Sequence, residues 1–154
     1  MASIGANNGI LSFVPKDTNS YYYESFPCVK TKTEGYGGLQ FTITYPAGSA
    51  FTLEIQTKSN CNNAQYTSEW FTIAGLTGTQ QVVTLDLNVF GGSNLDAIVG
   101  FVWAGFTVTG TYTFSDIKFV CGRLDTFNQG KLREPRSRLV FVLANSARAL
   151  LSES

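Results

Sequence analysis

The chain has 154 residues, enough for one domain with a core of its own, and its formal net charge is zero. Charged residues make up 14%, low against the usual quarter or so, while aromatics reach 14% and glycines number 15. That balance does not suit disorder and does suit a β-rich domain with Gly- and Thr-rich turns. The absence of histidine removes the commonest general base and metal ligand together, which argues against an enzyme.

Charge is unevenly placed. Residues 1 to 122 hold five lysines, no arginine and eight acids, a balance of −3. Residues 123 to 154 hold every arginine in the chain and balance at +3. An acidic part without arginine is a poor match for a phosphate backbone, so nucleic acid is not an expected partner. The break near Gly122 divides the chain into a domain, 1 to 122, and a basic extension, 123 to 154. Three cysteines, Cys28, Cys61 and Cys121, stand far apart and without zinc spacing. They read either as one disulfide plus one thiol or as three buried thiols. The start, MASIGANNGIL, lacks the basic and apolar regions of a signal peptide, so a secreted protein would be expected to have lost its beginning. No apolar run reaches the length of a membrane span.

In chain order, residues 1 to 10 are small and polar, with an Asn-Asn-Gly turn. Leu11 to Val14 predicts a short strand ended by Pro15. Tyr21 to Phe26 predicts an aromatic strand ended by Pro27, and Lys30 to Gly38 a loop. Leu39 to Tyr45 alternates, with Leu39, Phe41, Ile43 and Tyr45 on one face. Phe51 to Lys58 alternates as well, with Phe51, Leu53 and Ile55 inward and Thr52, Glu54, Gln56 and Lys58 outward. These two are expected to behave as a hairpin. Tyr66 to Ile73 reads as a strand. On it Phe71 shares parity with Ile73, leaving Trp70 to face out. Gln81 to Leu87 alternates, with Val83, Leu85 and Leu87 inward.

The stretch Leu95 to Phe106 is nearly unbroken apolar sequence and predicts a buried central strand. The Gly110 turn after it is a hairpin signal, and a closing strand follows over 113 to 120. About eight strands at roughly 8–12-residue spacing predict an all-β protein, an antiparallel two-sheet β-sandwich. Beyond Gly122, residues 138 to 151 could form a helix with Leu139, Val142, Leu143, Ala147, Leu150 and Leu151 near one face. The favoured alternative is a poorly ordered, irregular extension or sequence foreign to the domain.

The order of GGLQFTI, FTLEIQT, an aromatic strand, GLTGTQQVVTLDL, LDAIVGFVW and TFSDIKFV resembles the jelly-roll, galactose-binding-like carbohydrate-binding modules of secreted polysaccharide-active proteins. Leu95, Ile98, Gly100 and Phe101, then Asp116 and Ile117, carry the likeness. The pieces YYYESFPC, SNC and FVCG look like a variety found on fungal secreted proteins, including domains attached to polysaccharide deacetylases. The resemblance implies a non-catalytic, extracellular module that binds cell-wall polysaccharide and serves a linked or associated enzyme. It brings all three cysteines to one end of the sandwich, where any pair is sterically open. Cys28–Cys61 is the pairing adopted here. It would close a loop of about 30 residues and stabilise by roughly 3–4 kcal/mol. The resemblance also implies a structural calcium ion near Asp116, with Asn7, Asn8 and Asp17 as companions, and no other cofactor.

Sugar recognition needs exposed aromatic faces and planar polar groups. The expected carbohydrate-binding residues are Glu54, Gln56, Tyr66, Trp70 and Trp103, with Lys58 beside them and Tyr22 and Tyr23 flanking. Two other readings compete. One is a structural or adhesive surface protein without sugar affinity. The other is a small hydrolase or lyase using Glu54 and Glu69 on neighbouring strands as facing carboxylates.

Overall fold

The computed structural model describes residues 1–121. The expected basic extension, with its candidate helix over 138 to 151, lies outside the described residues. Nine strands form: β1 (Ser3–Asn7), β2 (Ile10–Val14), β3 (Tyr22–Val29), β4 (Tyr36–Thr44), β5 (Phe51–Lys58), β6 (Tyr66–Ile73), β7 (Gln81–Asp86), β8 (Ile98–Ala104) and β9 (Tyr112–Cys121). A single turn of helix, α1 (Thr31–Glu34), precedes β4, and a 3-10 turn follows β7. One sheet has the order β1-β2-β9-β4-β7 and the other β3-β8-β5-β6, with every pairing antiparallel. The molecule is therefore the two-sheet β-sandwich expected from the alternating strands.

Period-2 alternation places the core. Leu39, Phe41 and Ile43 of β4, and Phe51, Leu53 and Ile55 of β5, are all fully buried between the sheets. They meet an aromatic cluster in which Trp103 stands 4.8 Å from Phe114 and 5.1 Å from Phe41, centroid to centroid. Such tilted and edge-on packing suits the ring quadrupoles. β8 is an interior strand between β3 and β5, as its unbroken apolar run predicts. Gly100 is required there: a Cβ would come within 2.7 Å of the Glu24 main-chain oxygen on β3.

Two expected hairpins do not form. β4 and β5 lie in different sheets, and so do β8 and β9. Their alternation was read correctly, but each connection passes from one sheet to the other. The stretch 105–111 does this with Gly105 at φ 64 and with Gly110 packed against Pro46, where a Cβ would meet Cγ at 2.5 Å. The Asn8-Gly9 pair makes a real hairpin instead. It joins β2 to β1, a strand not anticipated in the polar start. The predicted loop over Lys30 to Gly38 in fact holds α1 and the start of β4.

Cys28 and Cys61 form a disulfide with Cα atoms 5.6 Å apart. It ties the end of β3 to the loop after β5. The same end is clamped by Asp96, whose carboxylate accepts from the Thr33 amide at 2.7 Å and from its hydroxyl at 3.0 Å. Thr31 adds its hydroxyl to the Leu95 carbonyl at 2.6 Å. Cys121 is a free, half-buried thiol at the end of β9.

Candidate functional site

The outer face of the β3-β8-β5-β6 sheet carries the two most exposed aromatic rings among the described residues, beside a bonded polar group. Strand parity builds it. On β5, Thr52, Glu54, Gln56 and Lys58 alternate with buried Phe51, Leu53, Ile55 and Thr57. On β6, opposite them in register, stand Thr72, Trp70, Ser68 and Tyr66. Trp70 is 62% exposed and Tyr66 55% exposed, an unfavourable position for large rings that no internal packing compensates.

Glu54 organises the group. Its Oε2 accepts from the Trp70 indole N–H at 2.9 Å, and its Oε1 accepts from the Ser68 hydroxyl at 2.5 Å and from Gln56 Nε2 at 3.1 Å. Three donors on one carboxylate hold the indole edge and the Gln56 amide in place before any ligand arrives. With its N–H spent on Glu54, Gln56 keeps its carbonyl oxygen as an acceptor. That oxygen lies over Gly100, where a Cβ would come within 3.1 Å of it. An exposed ring, a fixed carboxylate and an amide carbonyl side by side can stack on an apolar ring face and bond hydroxyls at its rim.

Gln56 and Trp70 are thus both bonded to Glu54, and Tyr66 shares their face across from Lys58. Ser68 was missed by sequence reasoning, although its parity with Trp70 on a predicted strand pointed to it. Trp103 does not belong to the face. It is 1% exposed, inside the aromatic core, because it shares parity with Phe101 on an interior strand, and it offers no platform to a ligand. Tyr22 is likewise buried, while Tyr23 faces out at the β3 side of the sheet, half-buried and in register with Val102.

Glu54 and Glu69 do not face each other. Adjacent strand positions separate them: Glu54 pairs with Trp70 on the outer face, while Glu69 pairs with Ile55 on the inner one. Glu69 there accepts from the Gly92 amide at 3.1 Å and the Ser93 hydroxyl at 2.7 Å, holding the loop before β8. A glycosidase arrangement of two carboxylates flanking one bond is not made by this pair.

Asp116 is exposed at a break in the β4–β9 register, with φ 52. The Asn7-Asn8 turn is near it, since Ile10 pairs with Ser115, but Asp17 follows β2 at the opposite end. Among the described residues no three of His, Cys, Asp and Glu gather into a metal set. One carboxylate alone does not supply the six to eight oxygens that calcium takes, so most of the donors would have to come from loop carbonyls.

No protein-family model matches the sequence. No curated protein matches it either. Solved structures share the fold. The family 30 carbohydrate-binding module of a cellulosomal cellulase from Clostridium thermocellum superposes with a TM-score of 0.58 at 16% identity, covering 77% of this chain and 81% of that one. Another structure of a family 30 carbohydrate-binding module gives 0.57 at 16% identity, over 79% of this chain and 83% of that one. At such identity the likeness speaks for the fold: the chain has the β-sandwich architecture of carbohydrate-binding modules.

Proposed function

We propose that this protein is a non-catalytic polysaccharide-binding module whose contact surface is the outer face of β5 and β6. The observation that carries the reading is the exposed Trp70 ring, fixed at its N–H by Glu54 beside Ser68 and Gln56. A rigid exposed indole loses little conformational entropy on stacking, and the neighbouring acceptors supply direction. The shared architecture with the modules named above supports the same reading.

The proposal extends to an extracellular setting, which the Cys28–Cys61 disulfide favours. It extends also to a linked or associated carbohydrate-active enzyme, held near its substrate by raised effective concentration. The galactose-binding-like subtype and a fungal source rest on the sequence resemblance alone. A calcium ion at Asp116 enters as a structural proposal only: calcium should raise the melting temperature and EDTA lower it, and equal melts remove the idea. Sedimentation with insoluble cellulose, xylan, chitin and β-1,3-glucan tests the central reading. Wild type should be retained by at least one of them and Trp70→Ala by none. Wild type retained by none, or equal retention of the variant, refutes it.

A further inference from the structure

We propose that the site seats a linear glycan lengthwise along β5 and β6, between two aromatic platforms, Trp70 and Tyr66, and so takes a chain interior in preference to a disaccharide. This rests on the polysaccharide-binding reading above and adds the direction and length of the ligand. The two rings are the most exposed aromatic side chains among the described residues. They point to the same side of one strand, four residues apart, which at about 3.4 Å per residue separates them by about 14 Å. That span exceeds one pyranose ring and is filled by a short run of linked sugars.

The ground between the platforms is polar. Ser68 lies midway on β6, with Gln56 opposite it on β5, its carbonyl turned toward Gly100 of β8 at the inner margin of the track. Lys58 stands across from Tyr66 and adds a donor at that end. β6 is the edge of its sheet, so no further strand walls the track.

The competing direction, across the strands, is poorer. The transverse row through Trp70 and Glu54 continues to Val102 and Tyr23. Tyr23 is half-buried and Val102 is apolar, and the neighbouring row, Ser68, Gln56, Gly100 and Ser25, is polar but carries no ring, so neither transverse row has a second exposed platform.

The test is titration calorimetry with the disaccharide and the hexasaccharide of β-1,4-glucan, β-1,3-glucan and β-1,4-xylan. In the series that binds, the hexasaccharide should bind at least tenfold tighter than the disaccharide. Tyr66→Ala should erase most of that gain, and Trp70→Ala should abolish binding of both lengths. Equal affinity for both lengths overturns the lengthwise seat while leaving polysaccharide binding intact. So does a gain that survives Tyr66→Ala but is lost in Tyr23→Ala, which would turn the chain across the strands. If no hexasaccharide binds and no insoluble polysaccharide retains the protein, the functional reading falls and this inference with it.

Discussion

Trp70 and Trp103 are the only tryptophans in the chain, and parity decides what each can do. Trp70 alternates with Phe71 on an edge strand, so one ring must face water, and Glu54 across the pair receives its N–H. Trp103 alternates with Val102 on an interior strand and turns into the space between the sheets, where its N–H has no hydrogen-bond partner. That orphaned donor costs part of what its burial contributes. Truncation should still be severe: Trp103→Ala is expected to lower stability by about 3–5 kcal/mol, measured by urea unfolding. Trp70→Ala, removing a largely exposed ring, should cost under about 1 kcal/mol. A mild Trp103→Ala would mean that the ring is not the centre of the core. Trp70 was legible because its partner in alternation, Phe71, matches Ile73. Trp103 stood among the candidate binding residues although its place in the apolar run already favoured the core, which is where it lies. Ser68 carried no chemical signal of its own, and its role is visible only once Glu54 is seen opposite its neighbour.

At the scale of elements, what was legible was each strand's inner face, and what was not was its partner. Leu39, Phe41, Ile43, Phe51, Leu53 and Ile55 follow from period-2 alternation alone, because burial on one face is a local property. Whether two consecutive strands pair or pass to the opposite sheet depends on the path of the connection. The links after β4 and after β8 contain the Gly and Pro residues of a tight turn and are used to change sheets instead. β1 was invisible for another reason. Ser3–Asn7 lays only Ile4, half-buried, against the core and is otherwise held by main-chain pairing to β2, which any polar sequence can make. α1 is a single turn set by Gly35 at φ 83 and by the clamp to Leu95 and Asp96, contacts more than 60 residues away in sequence. The Cys28–Cys61 bond belongs to the same end, and it steadies the loop that leads into Tyr66. The platform at that end of the site therefore hangs on a covalent tie, while the one at Trp70 hangs on Glu54.

For the whole molecule the least expected feature is a carboxyl group in the core. Glu24 on β3 is 8% exposed, faces inward between Tyr22 and Phe26, and leaves Oε2 without a hydrogen-bond partner. Burial alone pushes its pKa from 4.5 up to about 7. Burial also pushes the Tyr22 phenol up to about 12, with the Glu24 charge adding to it. A raised acid pKa means that between about pH 4.5 and 7 the folded protein binds more protons than the unfolded chain, so stability falls as pH rises through that window. A shift of this size corresponds to about 3 kcal/mol between pH 4 and pH 8. Asp96 acts in the opposite sense. The Thr33 main-chain N–H foremost, then its hydroxyl and Lys32 and Lys30, hold its pKa down, so its contribution is lost as pH falls through the acid range. The two therefore pull stability in opposite senses, Glu24 favouring the lower pH and Asp96 the higher. Urea unfolding at pH 5 and pH 8 should give wild type a clearly lower midpoint at pH 8, and Glu24→Gln, which cannot ionise, should lose most of that difference. An equal fall in both proteins would mean that another group sets the alkaline limb, and that Glu24 is either solvated or paired when charged.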